Sequence, residues 1–131
     1  MRTSLASLAL LLCTVSMANA QQRNESATTE ELRKSMMQVM SQQEVYYSRH
    51  NTYAADGTKL ELTGALSVTF KSADLKRGYV VEATHASLGD GSCVMVVGQP
   101  GIEGPIATRK GKVAVEAGQV TCDSPVPSKK Q

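Results

Sequence analysis

From Thr28 onward, apolar residues return every three or four positions. Leu32, Met36, Val39, Met40, Gln43, Tyr46 and Tyr47 fall on one stripe, interrupted only by Gln43. Arg33, Lys34, Gln38, Gln42 and Glu44 fall largely elsewhere. This period is that of an amphipathic helix and predicts one from Thr29 to Arg49. Thr28 is suited to cap it, and Glu31, three residues on, to close a capping box. Glu30 and Glu31 complement the positive end of the helix dipole. His50 and Asn51 suit its C-terminal end. On this stripe Met36, Met37 and Met40 read as core filler rather than as an adaptable binding surface.

The period then changes from between three and four to two. Leu66, Val68 and Phe70 alternate with Ser67, Thr69 and Lys71, the pattern of a half-buried strand. A second strand is predicted over Tyr79 to His85, with Tyr79, Val81, Ala83 and His85 on one face. Ser92 to Gly98 is apolar on both faces, which places it centrally in a sheet. Asp56-Gly57, Asp74 to Gly78 and Gly89-Asp90-Gly91 supply the turns. Gln99 to Gly111, rich in glycine and proline, is predicted to be an irregular loop. Lys112 to Glu116 and Gln119 to Asp123 follow as short strands around Gly118, or as one bent strand. A helix followed by antiparallel strands defines an α+β fold, with the helix packed on a sheet of about four strands.

The first twenty residues alter the count of what folds. Arg2, the apolar run Leu5 to Val15 and the small residues of Ala18-Asn19-Ala20 form a secretory signal, with cleavage predicted between Ala20 and Gln21. A lipoprotein modified at Cys13 fits less well, because bulky Leu12 precedes it. The expected organisation is a signal peptide at 1–20, a flexible polar segment at 21–27, one globular domain at 28–123 and a disordered tail at 124–131. Without Arg2 the mature chain carries 13 basic and 12 acidic residues. A near-neutral balance with scattered cations excludes a nucleic-acid footprint. No transmembrane segment is expected in the mature chain. Cleavage also removes Cys13 and leaves Cys93 and Cys122, which in an exported domain are expected to form one disulfide.

Candidate chemistry is sparse. His50 and His85 are the chain's two histidines, and no ligand spacing joins them to a metal-binding set. No G-x-S-x-G element appears, and no other residue set meets the requirements of an active site. The segment GQPGIEGP within Gln99 to Gly111 lacks the Lys-Ser/Thr pair of a phosphate-binding loop. The expectation is therefore a non-enzymatic protein with no metal and no cofactor. Loops on rigid scaffolds carry recognition, so the candidate partner contacts are Gln99, Ile102, Glu103, Ile106, Arg109 and Lys110.

Three segments together resemble a known family. QEVYYSRHNTYAAD, Gln43 to Asp56, is similar to the helix end and following turn of type IV pilins. GYVVEATHASLGDGSCVMVVG, Gly78 to Gly98, resembles the strand, glycine turn and cysteine-bearing strand of the pilin-like group. AGQVTCD, Ala117 to Asp123, is similar to that group's closing cysteine segment. The resemblance spans most of residues 29 to 123. It implies a long N-terminal helix on an antiparallel sheet, a disulfide pinning the last strands, an exposed disulfide-bounded region facing partners, and bacterial export.

The chain also departs from that family. Pilins open with a short basic leader and an apolar run long enough to cross a bilayer, whereas here the leader ends in Ala18-Asn19-Ala20 and polar residues follow. The expected function is thus that of an exported pilin-like protein, periplasmic or extracellular, acting by binding. Its partners would be pilus or type II secretion components, or a surface ligand. The alternatives are a soluble ligand-binding module unrelated to pili and, at lower weight, an unrecognised hydrolase.

Overall fold

The structure is a computed structural model. It describes residues 6–62 and 66–125, with side chains from Thr28 onward. One helix, α1, spans Ala6–His50. Four strands follow: β1 at Ser67–Lys71, β2 at Gly78–Thr84, β3 at Cys93–Gly98 and β4 at Thr121–Cys122. They form one antiparallel sheet in the order β1-β2-β3-β4. The α+β class, the four-stranded antiparallel sheet and the central place of β3 thus follow the sequence reading.

The helix end also lies where the pattern put it. Arg49 and His50 occupy the last turn, where cations meet the negative end of the dipole. Asn51 takes φ 54°, the left-handed conformation that asparagine tolerates, and its N–H closes on the Tyr47 carbonyl at 2.8 Å. The helix start differs. Thr28 and residues 21–27 lie inside α1, so Thr28 is not at its N-terminal end. The cleavage site Ala20-Gln21 falls where the structure describes backbone alone, and residues 126–131 of the expected tail lie outside the described residues. Among the described residues, no helix is long and apolar enough to cross a membrane.

The stripe supplies core. Leu32, Met36 and Val39 join Tyr79, Val81, Ala83, Leu88, Cys93 and Met95 in one buried cluster. Leu66, Val68 and Phe70 of the alternating segment pack against it, while Ser67, Thr69 and Lys71 are exposed. Burying one such large side chain is worth about 1.5–3 kcal/mol. The methionines separate: Met36 is fully buried and Met40 packs against the cluster, but Met37 is 43% exposed. Met37 sits one position off the stripe, so a helical turn carries it away from the sheet.

Gln43 is not an interruption. It is fully buried. Its Nε2 donates to the Ala54 carbonyl at 3.0 Å, and its Oε1 accepts from the Ala54 N–H at 2.7 Å. One side-chain amide thereby satisfies both polar groups of a buried backbone position, as buried polar groups require. Beside it runs an aromatic chain. Tyr47 packs on Tyr53 at 4.7 Å, Tyr53 meets Tyr79 at 4.8 Å, and Tyr79 meets Phe70 edge-on at 5.5 Å. The chain in the order Gln43, Ala54, Tyr53, Tyr79 is what ties the helix end to the sheet.

Two expectations near the turns change. β2 ends at Thr84, and His85 caps a 3₁₀ turn at Ala86–Leu88, its Nδ1 accepting from Ser87 N–H at 3.1 Å. Lys112 to Glu116 is not a strand of the sheet. It forms a single bridge, Ala107↔Val113, against the preceding segment.

Candidate functional site

The region from Gln99 to Asp123 leaves β3 and returns to pair with it as β4. Cys93 and Cys122 stand opposite each other in that pairing and are joined by a disulfide with Cα atoms 4.0 Å apart. β4 pairs at two positions only, Cys93↔Cys122 and Val94↔Thr121. So short a ladder has few backbone hydrogen bonds of its own, and the covalent link compensates.

Asp123, the next residue, is buried to 1% exposure. Its Oδ2 accepts from Ser92 N–H at 2.8 Å and from Lys110 N–H at 3.3 Å. Its Oδ1 accepts from the Thr108 hydroxyl at 2.6 Å. Its own N–H donates to the Ser92 carbonyl at 2.9 Å. Desolvation pushes the carboxyl pKa up, but the bonds from Thr108, Ser92 and Lys110 and the charge of Lys112 outweigh it, so the pKa lies below the ordinary 3.8. Gly91 belongs to the same fit: a side chain there would run into Asp123.

The Thr108 side chain works twice, because its Oγ1 also accepts from Lys112 N–H at 2.9 Å. Thr108 N–H donates to the Lys112 carbonyl at 2.8 Å, and Gly111 N–H to the Thr108 carbonyl at 2.9 Å. The glycine-rich stretch is therefore not irregular here. It closes into a tight turn at Thr108–Lys112 docked onto a buried carboxylate. Two cations on that turn have partners. Arg109 Nε donates to Glu82 Oε1 at 2.9 Å, and Lys110 Nζ to Asp90 Oδ1 at 3.1 Å. The Lys110 hydrogen bond and charge hold the exposed Asp90 carboxyl below its ordinary pKa.

The candidate contact residues thus divide. Arg109 and Lys110 lie together on the docked turn, and the main chain of each is also bonded, to Ser92 Oγ and Asp123 respectively. Gln99 lies elsewhere, held by Arg77 through both its backbone and its side chain. Ile102 and Glu103 are exposed, and Ile106 is half-buried with its carbonyl accepting from Ala114 N–H. Sequence reasoning missed Ser92, Thr108 and Asp123, the residues that hold the loop. The signal available was an aspartate directly after the closing cysteine. It also passed over Val113 and Val115, which are 51% and 85% exposed.

His50 stacks on Tyr46 with ring centroids 4.2 Å apart. Among the described residues, no group of three or more His, Cys, Asp or Glu could hold a metal ion. Compared with protein-family models, curated proteins and solved structures, the chain matches none of them.

Proposed function

We propose that this chain is an exported, non-enzymatic, pilin-like protein that acts by binding another protein or a surface. The observation that carries the reading is the clasped loop. A helix leads into an antiparallel meander, and the last strand is closed on β3 by a disulfide and a buried aspartate. The helix, the antiparallel sheet and the disulfide support what the three pilin-like segments imply, and the loop leaves Ile102 and Glu103 exposed.

Export is supported by the signal pattern ending in Ala18-Asn19-Ala20 and by the disulfide, because such bonds persist in oxidising compartments. Cleavage after Ala20 would leave residues 21–50 of α1 at the start of the mature chain. Pilus or type II secretion components are the partner class that the resemblance favours.

The test is photo-crosslinking in the producing cell, with benzoylphenylalanine in place of Ile102. Adducts to pilus or secretion subunits are expected there and not from the same probe at Lys71 on β1. Equal or absent labelling at the two positions would count against loop-borne recognition.

A further inference from the structure

The segment Lys112–Val115 runs to a bend at Glu116 and has one edge in use. Ala114 N–H donates to the Ile106 carbonyl, and the Lys112 carbonyl accepts from Thr108 N–H, both at 2.8 Å. These two bonds flank the antiparallel bridge Ala107↔Val113. Along a β-strand, neighbouring residues direct their N–H and C=O groups to opposite edges. Lys112 and Ala114 therefore spend theirs on Ile106 and Thr108, and those of Val113 and Val115 face the other edge. Among the described residues, neither valine has a backbone hydrogen bond. Both are exposed, Val115 at 85%. An edge of β-branched residues with no proline, and with no partner strand among the described residues, is a template for an added strand.

The strip's own sequence says which strand fits. Lys-Val-Ala-Val-Glu is its own antiparallel complement. Turned about a two-fold axis at Ala114, Lys112 lies opposite Glu116 of a second copy, Val113 opposite Val115, and Ala114 opposite itself. Each unlike-charge pair and each valine pair then occurs twice, and these are the cross-strand pairs that stabilise sheets. The same register sets the free groups of Val113 against those of Val115 in the other copy. A shift of two residues would leave Lys112 opposite alanine and lose both ion pairs.

The neighbouring cations do not oppose this approach, since Arg109 and Lys110 are paired with Glu82 and Asp90. Lys112 Nζ reaches the Cys122 carbonyl at 3.0 Å, and Glu116 accepts from Gln119 at 2.7 Å. Both are exposed contacts that a cross-strand ion pair can replace.

We infer that a second copy of this chain docks along this edge, adding strand to strand through Lys112–Glu116 with Ala114 on the axis. The interface is isologous, so it closes as a dimer and does not propagate. A strip this short belongs with weak, reversible associations.

Sedimentation velocity of the full chain, disulfide intact, tests it over concentrations of about 10 µM to 1 mM. A monomer–dimer equilibrium is expected. Lys112→Glu and Glu116→Lys should each raise the dimer dissociation constant by about tenfold or more, because each sets like charges opposite. The double exchange should restore it. A chain that stays monomeric throughout, or a dimer indifferent to the single exchanges or not restored by the double one, overturns the proposal.

Register has its own check. Non-hydrogen-bonded pairs place Cα atoms about 4.5 Å apart, within reach of a disulfide. Ala114→Cys should therefore cross-link into a dimer on oxidation, and Lys71→Cys on β1 should not. Equal cross-linking of the two, or none at Ala114→Cys, also overturns it.

Discussion

Gln43 and Asp123 are polar residues buried among apolar ones, and each holds a junction. Gln43 answers both the donor and the acceptor of Ala54. Gln43→Ala would strand that N–H and C=O without water, at about 1–3 kcal/mol for each unsatisfied group. A loss of about 2–4 kcal/mol in urea unfolding is expected, on the same basis with some relaxation of the chain. A change below about 0.5 kcal/mol, the size of an ordinary surface substitution, would show that the clasp is not structural.

Asp123 adds a dependence on pH. Its pKa is lowered in the folded chain relative to the ordinary 3.8. Its contribution is therefore complete above about pH 4, the value of an unfolded aspartate, and is lost as pH falls through the lower folded value. Asp123→Asn puts a donor or a neutral acceptor where Ser92 and Lys110 N–H both need a carboxylate oxygen. It should cost about 1–3 kcal/mol near neutrality and flatten the acid limb of the stability profile. Guanidinium titrations between pH 2 and 7 on both proteins read this directly. Parallel acid limbs would mean that another carboxylate governs the loss.

At the scale of elements, the helix and the first three strands are locally consistent. Their hydrophobic periods and turn residues agree with the positions observed, apart from the helix start and His85. β4 is the exception, with only two paired residues. Its place depends on the disulfide closing a sequence separation of 29. Loop-entropy bookkeeping makes that closure worth roughly 3–4 kcal/mol. Cys93→Ala with Cys122→Ala should lower unfolding stability by about that amount. It should also speed amide exchange at Thr121 and Asp123 ahead of β2 and β3, since β4 would open locally first. Uniform exchange across the sheet would show that β4 is held without the bond.

The loop before β4 was the least legible part of the chain. Its glycines and prolines mark turns, and they do not say which turns. What organises it is a carboxylate from after the loop, reaching back to Ser92 and Thr108. Those residues lie 31 and 15 positions away in sequence, so no local period could couple them. His85 illustrates the reverse. It continued a strand alternation in sequence, yet Ser87 N–H offered its ring a closer partner.

For the whole molecule, the proposal of export and binding rests on the signal pattern, the disulfide and the clasped loop together. Intact-mass measurement of the protein from its producing cell should find a chain beginning at Gln21, and thiol titration of it should find no free thiol. Retention of residues 1–20 together with free Cys93 would remove the basis for export.

The residues that named candidate contacts in sequence met different fates at this scale. Arg109 and Lys110 belong to the candidate recognition loop, and the fold engages both with carboxylates on neighbouring turns and strands. Ile102 and Glu103 remain available. The self-complementary strip at Lys112–Glu116 has the local pattern of a strand of the sheet, and only the fold shows that it is not one.

Local pattern and composition were enough for the helix end near His50, the faces of β1, the central place of β3 and the pairing expected of Cys93 with Cys122. Each rests on spacing within a few residues or on a count of thiols. Contacts between distant segments decided the rest: that Gln43 is a clasp, that Asp123 rather than glycine content shapes the loop, and that Val113 and Val115 face outward on an unpaired edge. A buried polar group is stable only where the fold brings its partner, and whether an edge is free depends on what the rest of the chain leaves uncovered.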